Sequence, residues 1–462
     1  MSWIFSPLWT YLGFGLALVL MAHLVGQQRS PSSTIAWLLV IIMMPYIGVP
    51  LYLMFGGRKM RRMARRKQRV YEQQRTDAAG EPVGGNAEKL LNSFGIPPAR
   101  SGNCTTLVAT GEEAYWRLCT AIDEAKSSID VTTFILGTDD VAQALVERLA
   151  RRASDGVAVR LLLDSVGSWR VNRRFLAPLT SAGARVAFFM PVIHIPFRGR
   201  LNLRNHRKII VVDNRIAMIG GMNLAGEYMG PAPDANRWRD LSLVITGPAV
   251  ADLAGLFRSD WSFATGEDLG PVPSPPFPRT DPGGDACPSQ VVASGPDVAG
   301  DPLYETLLSS LFTATRRIWV VTPYFVPDDM LARALELAAR RGVDVCIIVP
   351  RRSNHLSADL ARIGFLRQIH HGGARILFYE PGMLHAKAVI IDDVGIIGSA
   401  NMDMRSLFLN YEVALFLYGL AQVEEAASWT RTLMTQTRAG LPSRHWPAEL
   451  AENVVRLLSP LL

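Results

Sequence analysis

Cysteine is scarce in this chain and never closely spaced. Cys104, Cys119, Cys287 and Cys346 are the only four in 462 residues, and no two form a CxxC pair. That excludes a disulfide scaffold and points to reduced thiols in a cytoplasmic compartment. Spread-out net charge is missing as well. The chain carries +7, yet "RKMRRMARRKQR" at 58–69 holds eight Lys/Arg and no acid, which leaves the rest of the chain at −1. A nucleic-acid enzyme is expected to carry a basic face on its body, so no nucleic-acid partner is expected here. Ligand-like clusters of His, Cys and carboxylate are absent too, and neither a metal nor a cofactor is expected. The adjacent His370 and His371 precede Gly-Gly at an apparent helix end, where a C-terminal cap explains them.

Charged residues are lacking altogether in two runs near the start. "PLWTYLGFGLALVLMAHLV" at 7–25 has no Lys, Arg, Asp or Glu, and neither has "TIAWLLVIIMMPYIGVPLYLMF" at 34–55. Each run is long enough to cross about 30 Å of hydrocarbon as a helix. The first has no basic n-region and no small-x-small cleavage site, so it does not read as a signal peptide. Pro45 and Pro50 would kink the second span without excluding it. A transmembrane helical hairpin is expected. The short turn between the runs carries only Arg29, against eight basic residues after the second. Basic flanks stay inside, so both termini and the body are expected on the cytoplasmic side of a multi-pass membrane protein. The same basic run can lie on anionic headgroups.

Beyond the polar stretch 70–103 the chain runs twice through one plan. "AIDEAKSSIDVTTFI" passes from a helix end into a β-branched strand, followed by the amphipathic "TDDVAQALVERLARRASDG" and the apolar strand "VAVRLLLD". "ATRRIWVVTPYFVPDDMLARALELAARRG" and "VDVCIIVP" repeat it, with Gly156 and Gly342 ending the matching helices. Between the passes, 266–289 holds seven prolines and reads as a connecting loop.

One polar word recurs at the same place in each pass. "HRKIIVVD" at 206–213 and "HAKAVIID" at 385–392 share the spacing His-x-Lys-x4-Asp, and "GGMN" at 220–223 and "GSAN" at 398–401 follow them. On a strand, positions two apart share a face, so His206 lies beside Lys208 and His385 beside Lys387. Asp213 and Asp392, seven positions on, fall on the opposite face and read as structural members of the catalytic words. Asn223, and Ser399 with Asn401, return on the next strand as phosphate-binding candidates. Gly221 has no hydroxyl and offers only its backbone N–H. Facing one another, the halves would gather two imidazoles, two ammonium groups and two amides.

Phosphodiester chemistry needs that set. A neutral imidazole attacks phosphorus and forms a phosphohistidine, while a protonated one supplies the leaving alkoxide. Lysine and asparagine stabilise the non-bridging oxygens as charge gathers on them. The nucleophile's other nitrogen needs an acid to hold it. Asp240, downstream of His206, and Glu412, at a similar distance downstream of His385, are the candidates.

These paired words resemble the phospholipase D superfamily. "NLRNHRKIIVVD…IGGMNLAGEYMG", "TPYFVPDD" and "GMLHAKAVIIDD…GSANMDMRSLFLNYE" are similar to bacterial cardiolipin synthases, as is the N-terminal hairpin. The resemblance implies an α/β fold of two tandem phospholipase D-like units forming one pseudo-twofold catalytic body. The implied divisions are 1–57 anchor, 58–103 basic segment and linker, 104–265 first unit, 266–289 connector and 290–462 second unit. It also implies active-site roles for His206, Lys208, Asn223, His385, Lys387 and Asn401, with His206 as nucleophile and His385 as acid. Asp240 and Glu412 are implied as imidazole-supporting acids. The activity implied is phosphatidyl transfer between two phosphatidylglycerols with glycerol released. The partners are then phosphatidylglycerol, other anionic phospholipids and the membrane. A phospholipase D that hydrolyses or uses another alcohol stays open, and a non-enzymatic scaffold would leave the paired words unexplained.

The topology is directly testable. A cysteine placed at Ser30 should react with an impermeant thiol reagent in intact cells, whereas one at Ser459 should not. The opposite labelling pattern would refute the inside assignment of the basic run.

Overall fold

The structure is a computed structural model that describes residues 82–191, 203–273 and 286–441, with 31–46 and a few other N-terminal positions. The basic run 58–69, most of the first apolar run and most of the proline-rich connector lie outside the described residues. Within the second apolar run, Pro31–Met43 is a helix that stops before Pro45. Among the described residues, no helix is long and apolar enough to cross a membrane.

The first pass builds β1 (Arg100–Val108), β2 (Ser128–Thr133), β3 (Ala158–Asp164), β4 (Arg185–Phe189), β5 (Ile209–Val212), β6 (Ile216–Gly220) and β7 (Ser242–Thr246). The second builds β8 (Cys287–Ser294), β9 (Arg317–Val321), β10 (Phe325–Val326), β11 (Asp344–Pro350), β12 (Arg375–Tyr379), β13 (Ala388–Ile391), β14 (Val394–Gly398), β15 (Met402–Asp403), β16 (Glu412–Leu417) and β17 (Thr437–Ala439). Fifteen of them form one sheet, ordered β17-β12-β11-β9-β13-β14-β16-β8-β1-β7-β6-β5-β2-β3-β4. The seam is the antiparallel pair β1–β8, with Asn103 opposite Cys287. Outward from it, β1-β7-β6-β5-β2-β3-β4 matches β8-β16-β14-β13-β9-β11-β12 strand for strand. The repeat in the sequence is thus a pseudo-twofold in the sheet.

Matching helices arise from matching local signals. Asp139 caps Asp140–Ser154 by accepting from Ala142 N at 3.0 Å, and Asp328 caps Asp329–Arg340 by accepting from Leu331 N at 2.9 Å. Leu145, Val146 and Leu149, or Leu331, Leu335 and Ala338, bury one face of each helix. Gly156 (φ +90°) and Gly342 (φ +88°) then take the left-handed turn that ends them. One core lies under the helices of each half. A third joins the halves, where β14 touches β6 and β7.

Two stretches expected to be loops carry structure. Within 70–103, Gly85–Ser93 is a helix, and Ala87, Leu91 and Ile96 enter the core of the second half. Glu88, buried beside them, accepts from Gly84 N at 2.8 Å and Ala99 N at 2.9 Å. The glycines and prolines on either side hide this short apolar stripe. At the other stretch β8 begins at Cys287, inside the span 266–289.

Asp213 and Asp392 do not reach the site. Each ends its strand at the opposite end from the histidine and turns the hairpin at positive φ, +53° and +49°. Asp213 accepts from Lys126 N at 2.8 Å, Ser127 N at 2.7 Å and Ser128 N at 2.8 Å. Asp392 accepts from Thr315 N at 2.9 Å, Arg316 N at 2.8 Å and Arg317 N at 3.0 Å. Burial alone would raise these carboxyls, but the converging donors hold both below the ordinary aspartate value. Each carboxylate pins the hairpin to the start of the central strand. Asp213→Ala should therefore cost about 1–3 kcal/mol, read as a lower unfolding temperature. Catalytic activity measured well below that temperature should survive; its loss would return the aspartate to the chemistry.

Candidate active site

The histidines meet because each half lends the other a short run of backbone. Before β5, Asn205 bridges in parallel to Tyr411, with His206 N donating to Tyr411 O at 2.9 Å and Tyr411 N to Arg204 O at 2.9 Å. The mirror contact bridges Arg239 to Leu384, with His385 N donating to Arg239 O at 2.7 Å. The residue after Tyr411 is Glu412, and the residue after Arg239 is Asp240. Each bridge therefore delivers an acid to the opposite half's histidine. His206 Nδ1 lies 3.0 Å from Glu412, and His385 Nδ1 lies 2.6 Å from Asp240 Oδ2. Spacing along the chain sets each acid beside the histidine preceding it; the structure exchanges them.

With Nδ1 engaged by a carboxylate in both rings, Nε2 is the nitrogen that His206 keeps for chemistry. Both histidines line one cavity of about 380 Å³, walled mainly by apolar and aromatic groups including Phe134, Tyr228, Trp238 and Tyr324. Phe134 meets the His206 ring edge-on at 4.9 Å, and Tyr228 meets the His385 ring at 5.1 Å. Lys208 Nζ donates to His206 O at 2.8 Å. Lys387 Nζ bonds to His385 O and lies 2.9 Å from that ring's Nδ1 and 3.1 Å from its Nε2.

Burial sets the protonation states. It lowers His206, against the pull of Glu412, and it lowers His385 to about 3 with help from Lys387. It also lowers Lys208 to about 7 and Lys387 to about 8. Burial pushes Glu412 and Asp240 up, but their histidine and lysine neighbours outweigh it and hold both carboxyls down. The resting site thus holds neutral imidazoles between ionised carboxylates, a state fit for a nitrogen nucleophile.

The second words divide their labour. Asn223 and Asn401 both line the cavity. Asn223 accepts from Ile135 N at 3.1 Å and shares a hydrogen bond with Tyr228. The Oδ1 of Asn401 is buried with no partner among the described residues. Ser399 is not placed to bind phosphate. Its hydroxyl donates to Glu412 and accepts from Val413 N at 3.0 Å, so it braces the acid that holds His206. Gly221 reverses that arrangement: a Cβ there would lie 2.1 Å from Asp240 Oδ1, so the carboxylate fills the space of a side chain. Its N–H is not available to a ligand either, since it donates to Leu241 O at 2.9 Å.

One member escapes a reading of the sequence. Arg207, the x of the first HxK, is fully buried and pairs with Asp260 at 2.7 Å and Asp297 at 3.2 Å. Its Nε also donates to Glu412 O at 3.1 Å. It thus ties the first half to the second directly behind the histidine. Asp260, a buried acid inside a largely apolar helix, is the available signal.

Comparison with known proteins identifies the family. The family model "Cardiolipin synthase, PLD-like domain" matches residues 118–261 and 307–434, one match on each half, and "Phospholipase_D-nuclease N-terminal" matches 15–57. The chain belongs to the phospholipase D-like cardiolipin synthase family. Members similar to it include cardiolipin synthase 1 of Bacillus anthracis, 33% identical over 98% of this chain and 93% of that protein. Cardiolipin synthase A of Pseudomonas putida is 34% identical over 97% of this chain and 96% of its own length. Among solved structures, phosphatidylserine synthase of Haemophilus influenzae superposes with a TM-score of 0.60 at 15% identity. It covers 82% of this chain and 100% of that one, a likeness of fold.

The lysines give the site a pH signature. Each ammonium is present below its pKa and lost as pH rises through it. The alkaline limb of kcat/KM should therefore fall between about pH 7 and pH 8, the values to which burial brings Lys208 and Lys387. A limb near the ordinary lysine value of about 10.4 would remove the lysines from phosphate binding.

Proposed function

We propose that this chain joins two phosphatidylglycerol molecules into cardiolipin, with release of glycerol, through a phosphohistidine. As a member of its family it is a phosphatidyltransferase with cardiolipin synthase function. The observation that carries the finer reading is the exchanged pair of carboxylate-held imidazoles in one cavity.

In the first step, Nε2 of His206 attacks the donor phosphorus and the bond to the glycerol oxygen breaks. The leaving alkoxide takes a proton from His385. His385 takes up that proton from solvent as the substrate binds, because burial keeps the resting imidazole neutral and the diester anion then offsets the penalty. In the second step, neutral His385 takes the proton of the acceptor lipid's hydroxyl as that oxygen attacks phosphorus. The P–N bond breaks and His206 returns. Lys208, Lys387 and the two asparagines hold the non-bridging oxygens throughout.

An anchor in the bacterial inner membrane, with the body on the cytoplasmic side, fits this substrate. In support, residues 15–57 match the N-terminal family model, and Ile35, Leu39, Ile42 and Met43 stand exposed on the helix Pro31–Met43. The apolar cavity wall favours a lipid hydroxyl over water as acceptor.

Purified protein in phosphatidylglycerol vesicles should release glycerol and cardiolipin in about equal amounts, with phosphatidic acid minor. Mainly phosphatidic acid would establish hydrolysis instead. His206→Ala and His385→Ala should each cost about a thousandfold or more, and the double variant little beyond that. Singles that each keep half the activity would mean two independent sites.

A further inference from the structure

Two apolar side chains on the body are oddly placed for a protein in water. Between residues 82 and 441 the most exposed large hydrophobic residues described are Leu356 at 73% and Trp169 at 71%. Singly exposed hydrophobics are ordinary, but the position of these two is not. Trp169 sits on the loop after β3, and Leu356 closes the loop after β11, strands that correspond under the pseudo-twofold. Both loops form the rim of the cavity that holds the histidines. Val166 lines it three residues before Trp169, and His355 and Ser357 line it on either side of Leu356.

Each loop is held out by its own fastenings. In the first, Val166 N donates to Asp164 Oδ1 at 2.9 Å, and Ser168 Oγ accepts from Leu136 N at 3.0 Å. In the second, His355 packs on Tyr324 at 5.3 Å, and Arg351 is tied to Glu380 at 2.7 Å. The exposure therefore belongs to anchored turns. The charges carried by the two loops themselves are basic, with Arg351 paired to Glu380. Neither 165–175 nor 351–358 contains an acid, whereas Arg170, Arg173, Arg174 and Arg352 all stand exposed. Arg170 lies 5.3 Å over the Trp169 ring, which places an aromatic face and a cation at one spot. Aromatic and aliphatic tips ringed by arginine match an anionic bilayer surface, where indole sits at headgroup level and cations meet phosphates.

We infer that the cavity mouth is itself a docking surface for an anionic leaflet, with Trp169 and Leu356 entering the interface on either side of the opening. A lipid then passes from the bilayer to the histidines without its acyl chains crossing water. This rests on the phosphatidyl-transfer reading for its purpose, but the contact can be measured apart from any reaction.

The test uses the full-length chain reconstituted in vesicles, with Cys104→Ser removing the exposed thiol. In a His206→Ala background, a fluorophore on Trp169→Cys should be quenched by lipids bearing headgroup-level quenchers in phosphatidylglycerol vesicles. The same fluorophore on Glu147→Cys, exposed on a helix of the first half, should not. In the otherwise native chain, Trp169→Ala with Leu356→Ser should lower turnover of vesicle phosphatidylglycerol about tenfold, because interfacial binding scales with buried apolar area. Turnover of a dispersed short-chain phosphatidylglycerol should change less than about twofold, since no interface has to be entered. An unquenched probe at position 169, no loss on vesicles, or equal loss on both substrates would overturn the inference. If the native chain hydrolyses rather than transfers, the proposed reaction fails while the quenching still decides the docking.

Discussion

Each imidazole of this protein is held by a carboxylate from the other half of the chain, and much of the remaining architecture exists to keep those two contacts in place. A hydrogen bond of 3.0 Å from His206 to Glu412 and one of 2.6 Å from His385 to Asp240 require the halves to be fixed to a fraction of an ångström. Three features supply that rigidity. The β1–β8 seam makes two sheets one, the bridges at Tyr411 and Arg239 set the local register, and Arg207 clamps Asp260 to Asp297. An unpaired buried charge at any of these points would be costly, so the ion pairs specify one docking of the halves more than they add net stability.

The site is symmetric in plan and asymmetric in detail. Glu412 is the longer acid and is braced by the Ser399 hydroxyl, while Asp240 is shorter and fills the space above Gly221. The Ser-to-Gly departure between the two words is therefore matched by the acid of the same half, whose carboxylate takes the space of the missing side chain. Arg207 faces the same comparison, since its counterpart Ala386 carries no charge and no clamp. Duplicated halves have been fitted to one another as a pair, and neither word can be understood alone.

Much of this is legible in the sequence, and the limits have physical causes. The repeat, its strands and its helices can be read because periodicity and Gly stops are local signals. The paired words can be read because catalysis tolerates few residue types at those positions. Which acid serves which histidine is not legible. Two parallel bridges between segments from opposite halves of the chain decide it, and no local pattern records such a contact. The same holds for Ser399, whose partner is set by tertiary packing, and for Arg207, whose carboxylates come from distant helix and loop. The helix Gly85–Ser93 escapes notice for a different reason. Its apolar stripe is short, flanked by Gly and Pro, and means something only against the second half's core.

The exchange of acids has a consequence for how the protein is made. A ribosome that has completed the first unit has already exposed His206, Lys208 and Asn223, while nearly all of the second unit, Glu412 included, has yet to be translated. Until then the histidine has no carboxylate to select its tautomer and no second imidazole across from it. The first half alone thus holds an incomplete site. The two carboxylate contacts, and the cavity between the histidines, belong to the completed chain alone.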